Sequence, residues 1–387
     1  MSDRAEVILK VSERCNLACS YCYFFERADQ SFKQHPPRLL RSVARDAGKF
    51  IAQGCAELGL QGVRIDLHGG EPLLIGKDAF SDICEILTDA LSPGVEFELT
   101  VQTNATLIDD DWINIFARYQ VKVGVSLDGA QALNDRFRVD RSGNSSYLAT
   151  VAGINLLQAA ARVGRISKIG LLAVINPSVP ASDTYRHFVD VVGIRRMDFL
   201  LPNATHDEAI PFEQPEIGCF LCDLFDAWID KEDYKTVRVR LLDSVVALLL
   251  GERSRLFGIG EEDGYSSELV TIASDGALSP DDTLRGCGAA VMFTGMNVYN
   301  ATLKQFLRSE HISHLERQRL AIPPACRECC WYRCCGSGFM VHRYSQLSAF
   351  NNPSVHCVAL KMLFAHVSKF LVSAGLTVEE LAHNLGI

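Results

Sequence analysis

Cys15, Cys19 and Cys22 form a Cys-x3-Cys-x2-Cys loop, with Tyr21 immediately before the third cysteine. Thiolate is the soft ligand that iron-sulfur centres use, and three thiolates this close can hold three irons of a 4Fe-4S cluster. No fourth cysteine follows locally, so one iron is left open. A zinc ion would need a second Cys or His pair to complete its tetrahedron, and none lies in the local sequence. Near the other end, Cys326, Cys329, Cys330, Cys334 and Cys335 are followed by Cys357. Four thiolates from this group would saturate a cluster or, by ligand type alone, a zinc ion.

The elements that must position these loops alternate. Strand-like runs at 6–11, 63–67, 95–101, 121–126, 169–174 and 197–201 are separated by helical periodicity at 39–56, 79–91, 111–119, 147–161 and 184–192. Such strand-helix repeats predict an α/β fold whose parallel sheet is closed partly into a (β/α)6 TIM-type barrel. Functional groups in such folds gather at the C-terminal ends of the strands, where the first cysteine loop falls. Beyond residue 212 come helical stretches at 216–231 and 237–250, then a hairpin at 268–279 turning at Asp275 and Gly276. The second cysteine group and a closing helix at 358–376 complete the chain. The expected division is a barrel over 1–212, a helical bridge over 213–267 and an iron-sulfur domain over 268–387.

Composition narrows the function. A chain of 387 residues, 48% hydrophobic, can bury a large core. Its net charge of −9 argues against nucleic acid as a partner. No apolar run reaches the ~20 residues of a membrane span, and the N-terminus has no signal-peptide pattern, so a cytoplasmic protein without membrane contact is expected. Fourteen cysteines grouped in a long chain favour metal over disulfides. The expected substrate is a peptide or a small molecule.

Further groups end the strands. Gly69, Gly70 and Glu71 follow the second strand, where glycines let backbone approach a ligand closely. Gln102 and Asn104 end the third strand and Ser126 the fourth, all polar. A Cys-x3-Cys-x2-Cys loop followed at this distance by Gly-Gly-Glu-Pro resembles the radical S-adenosylmethionine (radical SAM) superfamily. That resemblance implies S-adenosylmethionine on the open iron, with Gly69, Gly70 and Glu71 at its methionine amine. It further implies Ser126 and Arg138 at its carboxylate, Gln102 and Asn104 at ribose or polar substrate atoms, and Tyr21 and Leu172 flanking adenine. It implies a cluster reduced by an external one-electron donor such as flavodoxin or ferredoxin, and a 5′-deoxyadenosyl radical that removes an unactivated hydrogen.

Cys326, Cys329, Cys335 and Cys357 resemble one half of a SPASM domain, the C-terminal module that carries auxiliary 4Fe-4S clusters. Asp281 and Phe339 stand where a second auxiliary cluster would want cysteines, so the resemblance implies a single auxiliary cluster in a SPASM/twitch-like domain. Cys287 is then an unassigned thiol or substitute ligand, and Cys330 and Cys334 are spare ones. Cys55, Cys84, Cys219 and Cys222 read as buried small hydrophobes.

The runs Asp198–Asp207, Thr294–Val298 and Gly336–Tyr344, and the Phe350–Cys357 segment, look like the FxsB-type maturases of ribosomally made peptides, a subgroup linked to cyclophane formation. By that resemblance a β-carbon radical of a precursor peptide adds to a nearby aromatic ring, and one electron and one proton leave. Asp198, His206 and Asp207 are the expected proton acceptors. Two other readings stand: oxidation of Ser or Cys to formylglycine, as in sulfatase maturases, and a non-catalytic iron-sulfur electron-transfer or sensor protein. Too few residues precede the first strand for a winged-helix leader-binding domain, so a free strand edge at the Gly276 hairpin is the expected peptide-docking element.

Overall fold

The computed structural model describes residues 4–92, 94–254, 259–260 and 268–387. The end of the expected bridge, 261–267, lies outside the described residues, as do residues 1–3 of the terminus read for a targeting signal. The α/β class with parallel strands read from the sequence is what the structure contains. No helix among the described residues is long and apolar enough to cross a membrane.

The chain groups into two compact units. The first comprises residues 1–127, 134–170 and 266–317. In it β1 (Arg4–Ser12), β2 (Gly62–Gly69), β3 (Glu96–Thr103) and β4 (Lys122–Ser126) pair in parallel, each with the next. Alternation dictates their facing. Ala5, Val7, Leu9 and Val11 of β1 and Val63, Ile65 and Leu67 of β2 are buried, while Glu6, Ile8 and Lys10 and their register partners Arg64, Asp66 and His68 occupy the opposite face. The helix Arg41–Leu58 buries Val43, Ala44, Ala47, Phe50, Ile51 and Cys55, the spacing of one helical face, and ends at Gly59 in the left-handed region.

The expected hairpin forms. Its strands are β8 (Leu269–Ile272) and β9 (Leu278–Ser279), numbered after three strands of the second unit, and Gly276 turns between them at φ +91°. It does not group with the second cysteine region, because β8 pairs in parallel with β1, Leu9 opposite Ile272. Nor is its edge free: Leu278 donates to the Met296 carbonyl and Val298 to that of Gly276, both at 2.9 Å, so residues 296–298 cover it. The docking edge expected from the sequence is therefore already paired.

The second unit comprises residues 128–133, 171–265 and 318–387. It contains β5 (Gly170–Val174) from Leu171 on, β6 (Arg196–Leu200) and the two-residue β7 (Arg238–Val239), again parallel. The helices Gln214–Ile229, Arg240–Leu249 and Cys357–Ser373 follow, and the closing helix is succeeded by a further short one, Val378–Leu385.

Gly54 tests the first unit's packing. A Cβ there would stand 2.4 Å from the Cβ of Leu303. Gly54→Ala is expected to lose about 1–3 kcal/mol to overpacking, more than the ~1 kcal/mol a helical Gly→Ala change contributes. A shift of the denaturant midpoint to lower concentration checks this.

Candidate functional site

β1 runs directly into the first cysteine loop. Cys15, Cys19 and Cys22 are half-buried. Burial pushes the Cys15 thiol up to about 12 and raises that of Cys22, although backbone amides face both sulfurs. As thiolates, three charges in this setting require a compensating cation, which iron supplies. Phe24, Phe25 and Phe32 pack edge to face or tilted behind the loop.

Gly69 and Gly70 have a structural reason to be glycine. Cβ atoms there would stand 2.0 Å from the Ser12 carbonyl oxygen and 2.5 Å from that of Arg14. That closeness lets Gly70 donate to Ser12 and Glu71 to Arg14, at 2.9 and 2.8 Å. The Glu71 carboxylate, 1% exposed, accepts from the Leu73 amide (3.1 Å), the Thr103 hydroxyl (2.7 Å) and the Asn104 amide (2.8 Å). Burial nevertheless pushes its pKa upward. Glu71 thus staples the end of β2 to the end of β3.

The other residues expected at the cofactor pair with one another. The Asn104 carboxamide donates to Asn16 of the cysteine loop at 2.9 Å. Gln102 donates to Ser126 at 2.9 Å, and Arg138 to the Tyr21 hydroxyl at 2.9 Å. In the second unit, Leu172 of β5 is half-buried, in register with Asp198 of β6.

Sequence reasoning missed a group in the first unit. Lys10, 0% exposed, pairs with Asp282, 2% exposed. The same carboxylate oxygen accepts from the Tyr23 hydroxyl at 2.8 Å, and Lys10 Nζ lies 3.1 Å from His68 Nδ1. The Phe24 ring sits under two cations, Lys10 at 4.7 Å and Arg285 at 4.3 Å from its centroid. Burial alone would raise the Asp282 pKa, but Lys10 outweighs it and holds the carboxyl down at about 2. Burial, then Lys10, hold His68 down at about 4. The signals were a lysine inside an apolar strand and the acidic pair where a cysteine was expected.

The expected proton acceptors have other partners. Asp198, 3% exposed, forms an ion pair with Arg240 (2.6 Å) and accepts from the Leu241 amide at the start of a helix. Exposed His206 contacts the Pro353 carbonyl at 2.8 Å, and exposed Asp207 accepts from the Gln346 amide at 2.7 Å.

In the second unit Cys326, Cys329, Cys335 and Cys357 line one cavity with Trp331, Leu360 and Phe364. Burial and then the three other thiols push the Cys335 pKa up, so the four are electrostatically coupled. Four soft donors around one cavity fit a cluster. Cys330 is exposed, Cys334 is buried, and neither lines the cavity; Cys287 is buried in the first unit. Cys55 and Cys84 are buried as expected, but Cys219 is exposed and Cys222 half-buried on their helix.

Two measurements follow. After anaerobic reconstitution, a Cys15, Cys19 and Cys22 triple-alanine variant should retain about four irons. For His68, a base with a depressed folded pKa, stability is lost as pH falls from the unfolded value towards the folded one. Between pH 7 and 4.5 wild type should therefore lose about 2 kcal/mol more unfolding free energy than His68→Gln.

The pattern of the radical SAM superfamily matches residues 9–175. Over its length the chain is 24% identical to a cysteine-type anaerobic sulfatase-maturating enzyme of Clostridium novyi, covering 94% of this chain and 95% of that protein. It is 26% identical to a serine-type one of Bacteroides thetaiotaomicron, covering 94% and 89%. A solved structure described as native anSMEcpe with bound AdoMet and Cp18Cys peptide superposes with a TM-score of 0.81 at 20% identity, covering 99% of each chain, which establishes the fold. Residues 9–175 thus carry the radical SAM superfamily pattern, and the protein is an enzyme using S-adenosylmethionine and 4Fe-4S chemistry.

Proposed function

We propose that the protein oxidises a side chain of a precursor peptide, forming a carbon-carbon crosslink between a β-carbon and an aromatic ring. The observation that carries the oxidative reading is the cluster of buried Lys10 and Asp282 with half-buried Tyr23, held in the same compact unit as Cys15, Cys19 and Cys22. Bound on the cluster of those cysteines, S-adenosylmethionine supplies a hydrogen-abstracting carbon radical, and the cluster of Cys326, Cys329, Cys335 and Cys357 supplies an electron acceptor. An external one-electron donor such as flavodoxin or ferredoxin supplies the first reduction.

In this reading Asp282, and not Asp198, His206 or Asp207, takes the proton. Lys10 and Tyr23 keep its carboxylate ionised. A base this weak accepts from a strong acid such as the ring cation left after oxidation, and hardly at all from a resting alcohol or thiol. Proton transfer therefore follows electron loss. Overall one hydrogen atom leaves the β-carbon, then one electron and one proton leave the adduct as the new bond persists and the ring regains aromaticity.

The motif resemblance, and Asp281 and Phe339 at two expected cysteine positions, favour the crosslink. The names of the full-length relatives favour a second reading, oxidation of Ser or Cys to formylglycine. Co-expression with a short peptide encoded beside the gene tests both. A crosslink loses two hydrogens and leaves a block resistant to fragmentation, whereas formylglycine reacts with an aldehyde probe; an unmodified peptide with no 5′-deoxyadenosine rejects both. Asp282→Asn should lower product formation by at least ~100-fold while S-adenosylmethionine cleavage persists.

A further inference from the structure

Lys10 of β1 and His68 of β2 are register partners on one face of the parallel pair. From there Lys10 Nζ reaches two groups: it pairs with Asp282, and it lies 3.1 Å from His68 Nδ1. An ammonium can only donate, so His68 Nδ1 accepts and the single ring proton of neutral His68 sits on Nε2. Exposure rises along the same series. Asp282 and Lys10 are closed to water, whereas His68 is half-buried. A line of hydrogen bonds thus leads from a sealed carboxylate to a ring with access to the outside.

Asp282 has a use for such a line. A carboxylate that takes up a proton in each turnover must lose it before the next, and a group closed to water cannot lose it directly. Protonating Asp282 also removes the strongest attraction on Lys10; of the other charges acting on that ammonium, Glu13 favours it and Arg285 opposes it. A buried ammonium deprived of its partner is unfavourable, and its proton moves to the nearest base.

We propose that the proton taken up by Asp282 leaves through Lys10 and His68. The ammonium gives one proton to His68 Nδ1 and takes the proton of the Asp282 carboxyl, which restores the ion pair. The resulting imidazolium gives a proton to water, so the net change is one proton moved from Asp282 to solvent, with no electron transferred. The order of basicity agrees: Asp282 is held down at about 2 and His68 at about 4, so the proton runs from the weaker base to the stronger and is then released at neutral pH. Lys10 and His68 act through Asp282 and are positioning residues. The proposal rests on the reading of Asp282 as the proton acceptor.

Two measurements on the full-length holoenzyme test it. With isotope-labelled histidine and both clusters oxidised, nitrogen magnetic resonance should find His68 neutral at pH 7 with its proton on Nε2; a proton on Nδ1 overturns the proposal, and no peptide is needed. The second uses the short peptide encoded beside the gene as substrate. His68→Gln keeps an acceptor for Lys10 but cannot carry a proton, so its steady-state rate should fall at least ~10-fold, and by more than its first turnover. His68→Gly should be slow as well and recover with added imidazole, a rescue that a merely structural contact would not give. Wild-type turnover in His68→Gln, or no rescue of His68→Gly, overturns the exit path; if neither variant folds, the position of the ring proton decides. Asp282→Asn separates this result from the reading beneath it. Product formed by Asp282→Asn at the wild-type rate refutes the acceptor role and the path together, whereas loss in Asp282→Asn with wild-type turnover in His68→Gln refutes the path alone.

Discussion

The ion pair between Lys10 and Asp282 spans 272 residues of sequence with both partners almost wholly out of water. Neither charge is tolerable alone: breaking such a pair costs about 3–5 kcal/mol. The β8–β9 hairpin must therefore dock beside β1 for the first strand to be stable, which explains why its strand joins the N-terminal sheet. His68, Tyr23 and the Phe24 ring complete the surroundings of the lysine.

Both cysteine sites obey one electrostatic rule. Burial drives their thiols toward the protonated form, so each loop is poorly suited to thiolate until a cationic core arrives. Backbone amides around Cys15 and Cys22 relieve part of that cost. Cluster loading at the first loop is thus tied to its local order, because the amides must already be in place for the thiols to ionise.

Much of this was legible in the sequence. Cysteine spacing needs no tertiary information, and alternating apolar strands with helical periodicity located the repeats. What escaped notice was pairing across long separations. Lys10 stands out in Val7–Val11, but nothing local names Asp282 as its partner. The Gly-Gly-Glu motif was visible, whereas the closeness of Ser12 and Arg14 that demands the glycines, and the three donors that occupy Glu71, arise only when strand ends meet. The helix Glu310–Leu320 buries only Leu315, so it left no periodic apolar stripe to read.

The covering of β9 by residues 296–298 reaches beyond docking. An open strand edge is a template on which any extended chain can add, including another copy of the same protein during synthesis. By closing that margin with its own backbone, the first unit avoids seeding aggregates there. An extended polypeptide that met this edge would have to be held by side chains and loops, where selectivity comes from shape and charge and not from indiscriminate main-chain pairing.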